Sequence, residues 1–361
     1  MTMISRQALE AAVREYRDPY LEKDLYELGA VKKLDVDKRG KVTLMVELSY
    51  PSKGIAGALK QLVGNALESV EGVESVDIFV AQKIHAYKAQ KELPSIPGVK
   101  NIIAVASGKG GVGKSTVTVN LALALSAQGH RVGVLDADIY GPSQAQMLGV
   151  KEGERPKTEG DKAFYPIKAH GIQAMSMAFL VNTREPMVWR GPMVVGAFQQ
   201  LLNQTLWDNL DFLLIDMPPG TGDIQLTLSQ KVPVSGAVIV TTPQDIALLD
   251  ARKGIEMFRK VNVPVLGVVE NMSLYHCANC GHEAPIFGAG GGESIAEEYD
   301  TKVLGRLPLS LSIREFADSG RPTVVAEPKS AISQTFASMA RQVADSMDQA
   351  PGAGPTISFS D

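Results

Sequence analysis

Short runs that are apolar throughout alternate with stretches of helical periodicity over most of the chain. The runs fall at 101–106, 131–135, 171–176, 212–215, 237–241, 265–269 and 302–304, and they are rich in Val, Ile and Leu. A strand with one wet face alternates apolar and polar residues, whereas a strand covered on both faces does not. Uniformly apolar strands separated by helices therefore predict a doubly wound α/β domain with a mainly parallel sheet between two helical layers. Ahead of it, from Tyr20 to about Gln82, the pattern reads helix, hairpin, helix, strand. The hairpin turn falls at Asp37-Lys-Arg-Gly40, and Lys41-Val-Thr-Leu-Met-Val-Glu47 alternates as a half-buried strand does. This region is expected to form a small α+β unit.

Periodicity is lost and proline gained in His85-Ala-Tyr-Lys-Ala-Gln-Lys-Glu-Leu-Pro-Ser-Ile-Pro-Gly98, the composition of a linker. The expected division is a small α+β domain over 1–84, a linker over 85–99, the doubly wound domain over 100–347 and a tail over 348–361. The tail segment Gln349-Ala-Pro-Gly-Ala-Gly-Pro-Thr356 carries too little apolar surface to order itself, so it is expected to be disordered.

The 361 residues, 45% hydrophobic and 21% charged, suffice for one large core and a second small domain and exclude a disordered or fibrous class. A formal net charge of −4 gives no bulk attraction to phosphate backbones or anionic lipid, so neither nucleic acid nor membrane is expected as a partner. The first 16 residues mix Arg6, Glu10, Arg14 and Glu15 among apolar positions, an amphipathic helix rather than a secretory signal. The longest apolar runs are strand-sized, far below the roughly 20 residues that span a bilayer. A cytoplasmic location is expected. With only two cysteines, Cys277 and Cys280, no disulfide framework is expected.

Directly after the run 101–106 stands Gly108-Lys-Gly-Gly-Val-Gly-Lys-Ser-Thr116, followed by a helical stretch over 117–127. The spacing is that of a P-loop, in its required setting of strand, loop and helix. Gly108, Gly110, Gly111 and Gly113, with Val112 among them, let successive backbone N–H groups converge on phosphate oxygens, and the helix N-terminus adds its positive end. Lys114 is expected to set its charge against the β- and γ-phosphates of ATP, and the Ser115 hydroxyl to ligate Mg²⁺, with Thr116 completing the nucleotide-binding segment. Two acidic segments end buried runs: Asp136-Ala-Asp138 after 131–135, and Asp216-Met-Pro-Pro-Gly-Thr-Gly-Asp223 after 212–215. An aspartate at a strand tip holds Mg²⁺ directly or through water, which makes Asp216 the leading metal candidate and Asp136 a second.

Lys109 departs from an ordinary P-loop, and with it the segment resembles the deviant Walker A family, whose core is Lys-Gly-Gly-x-Gly-Lys-Ser/Thr. That family includes the nitrogenase iron protein, MinD, ParA and the Mrp/ApbC/Nbp-type cluster carriers. The resemblance implies that Lys109 reaches across a dimer interface to the partner's nucleotide, as an arginine finger does in trans. It also implies that Asp138 positions the attacking water and that Asn271, after the run 265–269, reads the adenine edge. Lys109, Lys114 and Asp138 are then the catalytic candidates.

Tyr275-His-Cys277-Ala-Asn-Cys280-Gly-His282 has the Cys-x-x-Cys spacing that brings two thiolates onto one metal. One pair leaves a four-thiolate site half-built. The missing ligands come from histidines, from a substrate, or from the same pair on a symmetry-related subunit, in which case four thiolates hold a [4Fe–4S] cluster. A structural zinc knuckle using His276 or His282, a thioredoxin-like redox pair and inert core cysteines are the competing readings.

The P-loop, Asp136-Ala-Asp-Ile-Tyr-Gly-Pro-Ser143, Asp216-Met-Pro-Pro-Gly-Thr-Gly-Asp223, Glu270-Asn-Met-Ser273 and the cysteine pair together are similar to the Mrp/ApbC branch of that family, over about 96–347. This likeness implies ATP hydrolysis, homodimerisation, and transfer of an iron–sulfur cluster from scaffold proteins to apoprotein recipients. The N-terminal unit resembles the small iron–sulfur-assembly domain often fused to this ATPase, but has no cysteine at Ser49-Tyr-Pro-Ser-Lys53, which points to a docking or scaffold role. The rivals are a MinD/ParA-like positioning ATPase and a zinc-stabilised scaffold ATPase. The first needs a basic amphipathic membrane helix or a basic DNA-binding surface, which the helix around 332–347 and the overall composition do not offer.

Overall fold

The computed structural model describes residues 4–19, 21–50, 54–87, 93–139, 141–160, 163–179, 191–277 and 279–348. The tail over 349–361, the middle of the linker and Pro51-Ser-Lys53 lie outside them. The chain divides into two compact units after His85.

The first unit comprises α1 (Arg6–Arg14), β1 (Val31–Val36), β2 (Lys41–Leu48), α2 (Ala56–Glu68) and β3 (Ser75–Gln82). Its sheet runs β1-β2-β3, antiparallel between β1 and β2 and parallel between β2 and β3. Val42, Leu44, Val46 and Leu48 alternate inward along β2, as the period of a strand dictates, and are buried with Leu59, Val63 and Leu67 of α2. The helix expected just after Tyr20 is not there. Asp24 Oδ1 instead accepts the backbone N–H groups of Tyr26 at 2.7 Å and Glu27 at 2.9 Å, a local bonding pattern that competes with helix and winds residues 25–29 into turns.

The second unit begins with β4 (Val99–Ala106), α3 (Lys114–Ala127), β5 (Val132–Asp136) and the short α4 (Gln144–Met147). A hairpin of β6 (Thr158–Glu159) and β7 (Ala163–Phe164) follows, then β8 (Ile167–Ala169), β9 (Ile172–Ser176), α5 (Gly191–Gln204), β10 (Leu210–Asp216), α6 (Asp223–Lys231), β11 (Gly236–Thr241) and α7 (Asp245–Lys260). The unit closes with β12 (Val265–His276), β13 (Glu283–Ala284), α8 (Gly291–Glu298), β14 (Val303–Leu309), α9 (Leu311–Asp318), α10 (Thr323–Ala326) and α11 (Ala331–Asp348).

Each apolar run of the sequence lies in a strand of one sheet, ordered β13-β12-β11-β4-β10-β5-β9-β8, with β14 also paired to β12. All pairs are parallel except β12 with β13 and β8 with β9, so the mainly parallel doubly wound architecture stands. Every residue of β5, β10 and β11 is buried, which is why these segments carry no polar alternation. Helix α3 is buried from Val117 to Leu125 and is apolar nearly all round, as a helix enclosed on every side must be. Register sets the chemistry: β10 pairs Asp216 with Asp136 of β5 on one side and with Val105 of β4 on the other. Both aspartates and the loop after β4 thus gather at the carboxyl ends of the parallel strands, where open α/β sheets place their ligands.

Candidate nucleotide site and cysteine pair

The loop from Ser107 to Gly113 joins β4 to α3, and its glycines are required at two places. Gly113 has φ +85°, and a Cβ there would lie 2.1 Å from Asn271 Nδ2. At Gly108 the constraint is space alone, since a Cβ would meet the Asp250 carbonyl oxygen at 2.1 Å. Ser107 Oγ donates to the Lys109 carbonyl at 2.9 Å and Gly220 N donates to the Ser107 carbonyl at 2.9 Å, tying the loop to the segment after β10. Lys109, Gly110 and Gly111 are exposed, Ser115 and Thr116 half-buried, and Val112 and Lys114 buried. Lys114 is the first residue of α3, whose leading N–H groups have no intrahelical acceptor and face the loop.

Lys114 Nζ bonds Asp216 Oδ1 at 2.5 Å and stands 3.4 Å from Ser115 Oγ. Asp216 is fully buried. Its Oδ1 also accepts from Thr118 Oγ1 at 3.2 Å, and its Oδ2 from Gln144 Nε2 at 2.9 Å. A cation, a hydroxyl and a carboxylate thus converge at the helix N-terminus, the donor set that holds a phosphate and a hard divalent ion. Asp136 serves a different local purpose. Its Oδ1 accepts from Asp138 N at 3.1 Å, and its Oδ2 from Ser143 N at 3.0 Å, Gln144 N at 3.1 Å and Ser176 Oγ at 3.2 Å, so the carboxylate anchors the loop after β5. Burial, and next the neighbouring Asp216 charge, push Asp136 up to about 7. Asp138 is half-buried two residues on, its Oδ1 accepting from Gly141 N at 3.3 Å.

Asn271 is buried against the P-loop, its Nδ2 donating to the Val112 carbonyl at 2.8 Å. The next residue, Met272, takes the left-handed region at φ +57°, and the pairing of β12 with β14 slips between Asn271 and Tyr275. Beyond the slip β12 continues to His276 and pairs with β13, so that the cysteines sit in the turn of a β-hairpin. Cys277 N donates to the His282 carbonyl at 3.0 Å and Gly281 N to the Cys277 carbonyl at 2.9 Å. Both thiols are free; Cys277 is half-buried and Cys280 exposed. The backbone N–H of Cys280, then that of Asn279, hydrogen-bond the Cys277 sulfur and hold its thiol below the ordinary range. Among the described residues no group of three or more His, Cys, Asp or Glu stands close enough to hold a metal ion, so neither His276 nor His282 completes a knuckle around this pair. His276 Nδ1 faces Glu283 Oε1 at 3.4 Å.

A family profile described as NUBPL iron-transfer P-loop NTPase matches residues 98–344, and one described as iron–sulfur cluster assembly protein matches residues 6–78. The chain belongs to the iron-transfer P-loop NTPase family. Within this family, the iron–sulfur cluster carrier protein of Pseudomonas fragi is 61% identical over 275 residues, covering 76% of this chain and 96% of its own. That of Haemophilus influenzae is 54% identical over 345 residues, 95% of this chain and 92% of its own. Among solved structures, a nucleotide-binding protein from Archaeoglobus fulgidus in complex with ADP superposes with a TM-score of 0.57 at 37% identity, covering 66% of this chain and 93% of that one. The chain is accordingly a carrier-type P-loop NTPase with an assembly-type domain ahead of it.

Against that family frame, the structure brings together all the P-loop candidates with Asp136, Asp138, Asp216 and Asn271, and it sets Cys277 and Cys280 apart from them at the far end of β12. Asn271 and Cys277 are six positions apart on the chain, about 20 Å at the rise of an extended strand. Two residues at the nucleotide site went unread in the sequence. Thr118 lies one helical turn after Lys114, a spacing that puts its hydroxyl beside the same carboxylate. Gln144 reaches Asp216 across 72 positions, and no local pattern marks it.

Proposed function

We propose that the chain is a cytoplasmic ATPase that dimerises and carries an iron–sulfur cluster, of the [4Fe–4S] type, between the Cys277–Cys280 pairs of two copies, delivering it to apoprotein recipients. The observation that carries the reading is β12, one strand that touches the P-loop at Asn271 and ends in the thiol pair. A nucleotide-dependent change at Val112 and Asn271 has a direct covalent route to the cluster ligands. The cluster is cargo, and two thiolates with no third ligand in reach among the described residues supply half of the four a [4Fe–4S] cluster takes.

The residues at the other end fit Mg²⁺ and ATP. Ser115 and Asp216 would hold the ion, and Asp136 would support them through the loop it anchors. When bound, the ion supplies neutralising charge to the phosphates. Lys114 is paired with Asp216 here; with phosphate bound, its ammonium would face the β- and γ-oxygens and Asp216 would be free to hold the ion. Asp138 orients the attacking water, Lys109, exposed at the loop, stabilises charge at the partner's phosphates, and Asn271, which touches the loop at Val112, reads the adenine edge.

A zinc-stabilised scaffold remains the second reading, because N–H groups aimed at a cysteine sulfur suit zinc as well as iron. Anaerobic reconstitution followed by iron, zinc and sulfide analysis and an apoprotein-activation assay separates them. The proposal expects iron and sulfide in the wild type, and neither cluster nor transfer in Cys277→Ala or Cys280→Ala, both of which keep nucleotide binding. Zinc without sulfide, or transfer that survives both substitutions, would sink it.

A further inference from the structure

The Asp216 carboxylate is held from two sides, and only one of them belongs to the P-loop and its helix. Lys114 and Thr118 take Oδ1, while Oδ2 depends on Gln144 Nε2 at 2.9 Å. The same Nε2 donates to the Ser115 carbonyl oxygen at 3.1 Å. Gln144 is 1% exposed, and its backbone N–H is itself fastened to Asp136 Oδ2 at 3.1 Å. One residue therefore links the ends of β5 and β10, through its backbone and side chain respectively, to the residue that carries the P-loop hydroxyl.

The orientation of this carboxamide follows from its partners. Both are acceptors, so only the NH₂ end can face them; a flipped amide would set an oxygen against a carboxylate and a carbonyl. Oε1 must then face elsewhere, and it is buried with no hydrogen-bond partner. An acceptor left in that state is costly, and native proteins retain few of them. A hard divalent ion held by Ser115 and Asp216 would supply the missing donor, because Mg²⁺ keeps several of its waters. Groups that hold and orient ligands in this way influence metal affinity nearly as strongly as the ligands do.

The geometry points to Gln144 as a positioning residue for the metal–nucleotide complex, an inference that rests on the ATPase reading above. Its NH₂ sets the Asp216 carboxylate against Ser115, and its Oε1 would accept a hydrogen bond from a water that the ion carries. This role predicts that Gln144 matters to nucleotide binding only when the divalent ion is present.

The test is ADP affinity of the full chain in EDTA and in Mg²⁺, for wild type, Gln144→Met and Gln144→Asn, with thermal unfolding of each. Methionine keeps the length and loses both polar ends, whereas asparagine keeps the amide but cannot reach both partners. In each variant the affinity in EDTA should stay within about twofold of wild type, while the gain on adding Mg²⁺ falls by about 10-fold or more, the scale on which ligand-supporting groups act. The Mg²⁺ concentration for half-maximal ATP hydrolysis should rise in parallel, with turnover largely recovered at high Mg²⁺. A folded variant with the wild-type Mg²⁺ gain would overturn the role, as would one that loses affinity equally with and without the ion. If Gln144→Met fails to fold, the outcome with Gln144→Asn decides. A wild-type chain that binds no nucleotide under either condition would overturn the ATPase reading itself.

Discussion

The two lysines of the P-loop, Lys109 and Lys114, occupy opposite environments, and that difference separates their proposed roles. Lys114 is 5% exposed and bonded to a fully buried carboxylate, whereas Lys109 is exposed at the loop tip. Replacing Lys114 by alanine strands Asp216 without its cation and removes the charge that meets phosphate, so hydrolysis should fall by at least about 10³-fold. Lys109→Ala should keep most of its nucleotide affinity and lose turnover, since the contact proposed for it exists only across a dimer. A mixture of the two variants measures this: recovered activity requires that the intact Lys114 site be served by the partner's Lys109, and activity that follows only the Lys109 of the same chain would refute the cross-subunit contact. Cys277 offers a pH prediction with a definite sign. Backbone N–H groups stabilise its thiolate, so its alkylation rate should rise through a midpoint below that of an unstructured peptide thiol measured alongside. A midpoint at or above that value would mean that the turn does not aim its N–H groups at the sulfur in solution.

At the scale of elements, β12 carries the largest departure from what its sequence announces. The apolar run 265–269 is legible as a buried strand, but the strand extends through Glu270–His276, where polar residues are paired one by one: Glu270 accepts from Gly292 N at 2.6 Å, Asn271 donates to Val112, and Ser273 Oγ donates to the Leu307 carbonyl at 3.1 Å. Hydrophobic periodicity cannot report a strand whose burial is satisfied by long-range hydrogen bonds. The same limit hid Gln144, whereas the turns at Asp24 read as helix because a local side-chain to backbone pattern displaced it without changing the periodicity, and the P-loop was legible because its spacing is itself a motif. Gly113 tests how tightly the loop is packed on β12. An alanine there would sit at φ +85° at a cost of about 1–3 kcal/mol before its contact with Asn271 is counted. Gly113→Ala should therefore lower the unfolding midpoint and displace Asn271, weakening nucleotide binding. Gly196 provides the control, since it lies exposed within α5 with nothing near its missing Cβ. Alanine there should stabilise by about 0.5–1 kcal/mol. Equal unfolding midpoints and affinities for the two variants would mean that Gly113 is not constrained as described.

For the whole molecule the question is how a half-built thiolate site becomes complete. No helix among the described residues is long and apolar enough to cross a membrane. Near the cysteine turn, however, Leu274 and Tyr275 are each 38% exposed and Ile286 is 54% exposed, apolar side chains of the kind that a protein interface covers. On the proposed reading, a cluster that takes four thiolates and finds two per chain binds only a dimer, so by mass action loading should favour dimerisation and dilution should favour loss of the cluster. Anaerobic native mass spectrometry across a range of protein concentrations, with iron and sulfide analysis on the same samples, measures both sides of this linkage. The loaded species should have twice the mass of the chain plus one cluster, with about four iron atoms and four sulfides per dimer. Cluster occupancy should fall together with the dimer fraction on dilution. In a one-to-one mixture of wild type with Cys277→Ala, only the wild-type homodimer should carry the full cluster, because a mixed dimer offers three thiolates. A cluster held at full occupancy by a monomer would show that one chain completes the site by itself, and would overturn the shared site even if both cysteines proved to be ligands.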